Sequence, residues 1–348
     1  PDRRIKHRPG QWIVEKDWPS TEIKHAKFYL TSNGILGGDA SELNNIIKSP
    51  ATCGFGAGSY FPMSSSVPEQ SGDQRADDAY SLCFDDNPSK TTIDIVGRPK
   101  IKLTLKSDNQ CGHLCVRLCD VSPEGSSTRI TYGLLNLTHR ESHENPTPIP
   151  VDKEFSIELE LDQIAYRLLP ENKLRISLSN AYWPLVWPVA EQATLTLVKG
   201  ELLLPIRQKS DKPEYIFSDP EAASPWSRKI IREPSYSNKI ITDQMTNAVT
   251  IEIFDDYGIV EDNNHGLQIG TVIREAFSIH PNDPLCASGH IHWTQTLARN
   301  KWNIRTEAYT SLTSDKNNFY MTAKIKAFEE EKLIFEKEFK ETIKRSFH

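Results

Sequence analysis

The 348-residue sequence has no surplus of positive charge, no long apolar run and no paired cysteine motif. Its 41 Lys and Arg stand against 47 Asp and Glu, a formal charge of −6, so no basic excess is present to neutralise a phosphate backbone or dock on an anionic membrane. No apolar stretch approaches the roughly 18–20 residues of a transmembrane helix, and the opening PDRRIKHRPG lacks the apolar segment of a signal peptide. These absences set nucleic acid and membrane aside as partners. Six Cys without a CxxC pair are too scattered for a disulfide scaffold and read as the reduced thiols of a cytoplasmic protein. The Asn136-Leu137-Thr138 sequon bears on this only if the chain is secreted. A chain opening on Pro1, with a basic run and Trp12, reads as the continuation of a longer protein.

What is present is alternation. Ile101, Leu103 and Leu105 fall on one face of KIKLTLKS while Lys100, Lys102, Thr104 and Lys106 fall on the other, as a strand with one wet side requires. The pattern returns at Ile157, Leu159 and Leu161, and again at Leu174, Ile176 and Leu178. Further strands are expected near Phe28–Leu30, Ile93–Val96, Leu114–Leu118, Ile130–Leu135 and Leu195–Leu197, between turn-rich pieces such as Ser122-Pro123-Glu124-Gly125. Short one-faced strands at this spacing predict an all-β, antiparallel sandwich over residues 1–207. Residues 208–234, with Pro213, Pro220, Pro225 and Pro234 among Lys, Asp and Ser, read as an interdomain linker. Residues 235–348 carry longer candidate strands at Val249–Phe254, Leu267–Ser278, Gly289–Ala298, Trp302–Ser314 and Phe319–Phe328, which predicts a second antiparallel domain, a meander or partly closed barrel. The tail is two-valued. Phe335, Phe339 and Ile343 sit four apart as on a helix, and a hairpin turning at Glu329–Glu331 is the competing reading.

Catalytic apparatus is also missing. No Gly-x-Ser-x-Gly elbow occurs, and the nearest pieces, Gly58-Ser59-Tyr60 and Ala287-Ser288-Gly289-His290, lack the flanking glycines and parallel-strand context. The Gly-rich run Cys53–Gly58 is followed by neither a helix signal nor a Lys, so it reads as a structural or pocket-lining loop rather than a phosphate cradle. Cys111, Cys115 and Cys119 share a strand face with His113 and Arg117. Residues two apart on a strand lie roughly 6.6–7 Å apart, so three thiols in a line do not converge on one ion, and partly buried thiols are expected. His290-Ile291-His292 lacks a carboxylate close behind it, and neither metal nor cofactor is expected. Ala181–Pro188 holds three aromatics and two prolines, which packing against a neighbour explains better than stacking on a sugar ring, although a stand-alone carbohydrate-binding sandwich is the alternative.

Six stretches in order, RPGQW with KDWPS at 8–20, GDQRADDAYSLCF at 72–84, VRLCDVSPEG at 116–125, YGLLNLTHR at 132–140, SNAYWPLVWP at 179–188 and LLLPIR at 202–207, resemble the C-terminal domain of Xaa-Pro dipeptidyl-peptidases and of the cocaine esterase/NonD acyl hydrolases. Fainter likeness continues through HPNDPLCASGH at 280–290, LARNKWNIR at 297–305 and KAFEEEKLIFEKEF at 326–339, where the family's tail resembles a β-hairpin. The resemblance implies a galactose-binding-like jelly roll packed on a preceding α/β-hydrolase domain of the same polypeptide. That domain would hold the Ser, His and Asp, so no catalytic residue is carried here, and the isolated chain is expected to be inactive. The resemblance also implies that a loop at Gly54–Phe61 reaches the substrate pocket for a small ester or peptide, making Gly54, Phe55 and Phe61 the substrate-binding candidates. Self-association into a homo-oligomer is left open.

Overall fold

The computed structural model describes residues 10–34, 36–59, 70–208 and 215–347, which form two compact units divided at Ser218/Asp219, with Phe347 grouped with the first. The first unit carries β1 (Ile23–Leu30), β2 (Leu36–Gly37), β3 (Asn45–Ile47), the one-turn helix α1 (Arg75–Asp78), β4 (Leu82–Asp85), β5 (Ile93–Gly97), β6 (Lys100–Ser107), β7 (His113–Val121), β8 (Ser127–Asn136), β9 (Phe155–Glu160), β10 (Ile164–Leu168), β11 (Lys173–Ser179) and β12 (Leu195–Arg207). The expectation of an all-β antiparallel sandwich holds. One sheet runs β10-β5-β12-β1-β2, with β3 and β6 also on β12 and β9 beyond β6. The long β12 is its spine, meeting β6 along Leu195–Leu203 and β1 along Glu201–Arg207. The other sheet runs β4-β11-β7-β8. Alternating residues of both, Ile101, Leu103 and Leu105 from β6 and Leu114, Val116 and Leu118 from β7, fill one shared core.

The outer face of the first sheet is wet, and its charges are matched across strands. Lys100 stands opposite Glu160, Lys102 opposite Glu158 and Thr104 opposite Ser156, with Lys–Glu distances of 2.5 and 3.0 Å. The lysines that gave KIKLTLKS its alternation are one side of this ladder.

The second unit is one eight-stranded antiparallel sheet built from β13 (Arg228–Arg232), β14 (Ser235–Thr242), β15 (Val249–Asp262), β16 (Gln268–His280), β17 (Asp283–Arg299), β18 (Trp302–Ser314), β19 (Asn318–Glu329) and β20 (Lys332–Lys344). From β15 onward each strand pairs with the next, the predicted meander, and among the described residues β20 pairs with β19 alone. The stretch expected as a linker holds β13. The tail forms the β19–β20 hairpin, so the helical alternative is overturned: Phe335, Phe339 and Ile343 face Ala327, Ala323 and Phe319 across the ladder.

β13 and β14 both pair with β15, running in the same direction along one of its edges as successive segments interrupted at Glu233-Pro234, where β15 carries a bulge between Asp256 and Ile259. Asp256 fastens this bulge, accepting the Gly258 N–H at 2.8 Å and the Arg232 guanidinium. Gly258 has φ +75°, and a Cβ there would lie 2.3 Å from the Arg232 carbonyl oxygen, a backbone atom that cannot swing aside. Gly258→Ala is therefore expected to destabilise the bulge by about 1–3 kcal/mol, read as lost amide protection in β13 and the facing half of β15. Unchanged protection would show the bulge to be unconstrained.

Candidate functional site

In a sandwich with one wet side, the residues of β7 that point away from the core would meet water. Here they do not. Cys115, Arg117 and Cys119 are 0–1% exposed, because the second sheet is roofed by residues 50–59, by α1 and by the Tyr182–Val186 segment. A guanidinium sealed there needs charged and polar partners. Arg117 Nη2 lies 3.1 Å from Asp78 Oδ1 and donates to Ser81 Oγ at 2.8 Å, while Nη1 donates to Gln74 Oε1 at 3.0 Å. Asp78 also accepts from Ser177 Oγ at 2.8 Å and pairs with Arg175 Nη1 at 3.1 Å. Arg175 in turn forks onto Asp85 at 2.6 and 2.8 Å. Burial acts to lower the Arg117 pKa, but Cys119, Asp78, Tyr182 and Asp77 outweigh it and hold the group above the ordinary arginine value.

The same turn of α1 fixes the Gly-rich loop. Asp77 Oδ1 accepts the Gly54 N–H and Oδ2 the Gly56 N–H, both at 2.8 Å, while Gln74 Nε2 donates to the Gly56 and Gly72 carbonyls at 2.7 and 2.8 Å. On the other side the Trp183 N–H donates to the Cys53 carbonyl at 2.7 Å. Gly54 has φ +119°, and a Cβ would sit 2.5 and 2.6 Å from Trp183 backbone atoms, so no other residue fits. The loop is thus clamped from both sides. Of the three expected pocket residues, Gly54 is buried in the clamp, Phe55 is half-buried at its rim, and Phe61 lies outside the described residues.

Nothing in this lattice is activated for chemistry. The hydroxyls of Ser81 and Ser177 are spent within it, the first donating to the Asp77 carbonyl at 2.6 Å. Burial pushes the Cys53 and Cys119 thiols up to about 12 and Cys115 higher still, so none is a thiolate at neutral pH. The expectation of partly buried thiols is corrected for these two β7 positions: Cys115 and Cys119 are fully buried beside Arg117. His292 stacks on Tyr309 with centroids 4.0 Å apart, and no group of three His, Cys, Asp or Glu converges among the described residues. Tyr182 and Trp183 are 2% and 1% exposed, the Tyr182 hydroxyl accepting from Arg129 at 2.7 Å. A shallow groove of about 700 Å³ on the outer face of the first sheet is lined by the Lys102 and Glu158 pair and their neighbours, and its charges already satisfy one another.

The roles of Gln74, Asp77 and Arg117 are not readable from residue type alone. Their signal is that all three fall inside the quoted stretches at 72–84 and 116–125. The model for the X-Pro dipeptidyl-peptidase C-terminal non-catalytic domain matches residues 1–239. The chain belongs to this family. It is similar to the cocaine esterase of Rhodococcus sp. (strain MB1 Bresler), 22% identical over a 191-residue alignment that covers 50% of this chain and 33% of that protein. Among solved structures it is similar to an aminopeptidase from a marine sediment Thaumarchaeota archaeon, with 18% identity, TM-score 0.50, and 57% of this chain covering 39% of that one. A CocE/NonD family hydrolase from Staphylococcus aureus aligns at 13% identity and TM-score 0.45, with 59% and 40% covered. The chain thus spans about a third of the length of the esterase, and the family to which it belongs is the non-catalytic domain.

Two outcomes follow from the clamp. Asp77→Asn replaces one accepting oxygen by an N–H₂ group that faces an N–H, and the variant should lose about 2–3 kcal/mol in chemical denaturation, since hydrogen bonds to buried charge are worth about 1.5–3 kcal/mol each. A loss below about half a kcal/mol would dismiss the carboxylate as the loop's anchor. The second concerns pH. Burial acts to raise the Asp85 pKa, but Arg175 and Lys173 hold it below the usual carboxylate value. A depressed carboxylate contributes stability that is present above its unfolded pKa near 3.9 and drains as pH falls through the folded value. Denaturation midpoints should therefore fall on acidification below about pH 4, and Asp85→Asn should flatten that stretch of the curve. An unaltered acid slope in the variant would remove Asp85 from the account.

Proposed function

We propose that the chain is the non-catalytic C-terminal region of a serine hydrolase of the Xaa-Pro dipeptidyl-peptidase or acyl-esterase type, and that loop Gly54–Ser59 forms one wall of that enzyme's substrate pocket. In this reading a preceding α/β-hydrolase domain of the same polypeptide supplies Ser, His and Asp, and acyl transfer proceeds there on a small ester or peptide. The observation that carries it is the double clamp on the loop. A wall that shapes a transition state must not give way, and here a buried carboxylate and the Trp183 backbone hold the loop on either side while the Phe55 ring stays half-exposed. A glycan platform on Trp183 and Trp187 has less support, because the Trp183 ring is buried and the Trp187 ring, only half-buried, packs edge-on against it.

The test uses the whole polypeptide with its hydrolase domain. Phe55→Ala is expected to lower kcat/KM by about tenfold or more, chiefly through KM and unequally among acyl groups of different bulk, as loss of an apolar pocket contact does. Denaturation of the variant should be unchanged. Equal kcat/KM values across the substrate series would sink the wall assignment.

A further inference from the structure

The open edge of the second unit is unusually long. β20 runs 13 residues without a proline, every residue of it is exposed, and among the described residues only β19 pairs with it. An unpaired edge is a template for another strand unless something blunts it. Phe335, Phe339 and Ile343 lie on one face beside Met321 and Ile325 of β19, each between 38% and 50% exposed. The opposite face carries Glu336, Glu338 and Lys340.

A two-fold axis normal to the sheet keeps like faces together, so it must pass through a residue rather than between two. The charges select which one. Axes through Glu336, Lys337, Glu338, Lys340 or Glu341 set a charged residue against its own copy, and an axis through Thr342 sets Lys340 against Lys344. Nearer either end of the strand, an axis leaves about half of it unpaired. An axis through Phe339 sets no like charges opposite. It places Phe339 against Phe339, Phe335 against Ile343, Lys337 against Glu341 and Glu338 against Lys340, each heteropair occurring twice. The chain already uses this device between β6 and β9, where Lys100 and Lys102 oppose Glu160 and Glu158. Lys337 and Glu341 have no ion-pair partner among the described residues, and the Lys337 ammonium lies 4.7 Å from the Phe339 ring.

We propose that β20 pairs antiparallel with the β20 of a second copy about a two-fold axis at Phe339, joining two second units into one continuous sheet. Lysines on an edge ordinarily repel arbitrary strands, and here each interior lysine meets a glutamate in this single register, which makes the edge selective for itself. The apolar row of Phe335, Phe339 and Ile343 then continues across the junction instead of ending in water.

Sedimentation velocity of the full chain over a concentration series tests the register through its symmetry. The parent is expected to dimerise reversibly. K337E places a glutamate opposite Glu341 twice, and E341K places a lysine opposite Lys337 twice, so each variant alone should dimerise about tenfold or more weakly. Mixed one to one, the two variants restore opposite charges at every charged pair of the register and should recover the parent's affinity as a heterodimer. A parent that stays monomeric at several hundred micromolar, single variants that associate like the parent, or a mixture no tighter than either variant would each overturn the proposal. Should a variant fold poorly, hydrogen exchange of the parent decides: β20 amides should gain protection with concentration, and protection independent of concentration refutes the pairing.

Discussion

The guanidinium of Arg117, sealed on the outer face of β7, is the constraint from which the rest of the first unit follows. A buried cation with no countercharge is not tolerated, so the segment that crosses over it must bring a carboxylate, a hydroxyl and an amide to fixed positions. Asp78, Ser81 and Gln74 do so, and the path from Gln74 to Ser81 becomes committed by that requirement. Once α1 is set, Asp77 has no freedom either: its carboxylate points at the Gly-rich loop and takes two of its amides. One arginine thereby dictates the path of a loop about sixty residues before it in the chain. An apolar replacement of comparable volume often packs as stably as a buried ion lattice, so the lattice is better understood as specifying where the loop goes than as a reserve of stability.

That specification explains why the two sheets look so unlike. The first needs nothing on its outer face and presents a ladder of lysines and glutamates to water. The second is covered on both faces, apolar toward the core and polar beneath its roof, so β7 is almost wholly buried although it belongs to an antiparallel sandwich. A lattice that consumes its hydroxyls, keeps its thiols protonated and contains no imidazole has no nucleophile to offer. The carboxylates and hydroxyls of this lattice are thus occupied in holding the loop and its neighbours in position.

How much of this could be read from sequence depended on whether a face met water. Lys100–Ser107 was legible because its polar residues are solvated, and the same holds for Phe155–Glu160. β7 was legible as a strand but not as a doubly buried one, because alternation of Leu and Val with Cys and Arg looks the same whether the polar side faces solvent or a polar roof. β13 left no trace: all five of its residues are exposed, so no burial period exists to be written into the sequence. The tail was ambiguous for a geometric reason, since a spacing of four satisfies both a helix of 3.6 residues per turn and a strand with a period of two. The residues two places from each Phe decide it, and Lys337 and Glu341, on the same strand face, are what made the apolar row look helical.

The second unit obtains order by other means than the first. Among the described residues its buried apolar side chains are few, Val249, Ile251, Ile273, Ile279 and Ala287, against a core in the first unit drawn from both sheets. A single layer cannot hide both faces, and its cohesion must come from long ladders and from side chains paired across neighbouring strands. Strands of 12 to 17 residues from β15 to β20 supply this, with local antiparallel partners that cost little loop closure. The cost falls at the margin. Interior rows such as Ile273 and Trp293 have neighbours on both sides, while the last row has one, so apolar residues that are ordinary in the middle of the sheet become exposed when carried to its end. Exposure at β20 is therefore a direct consequence of extending a one-layer ladder, and the alternating Lys and Glu placed there, rather than a proline or a short final strand, leave the row open to a matching partner.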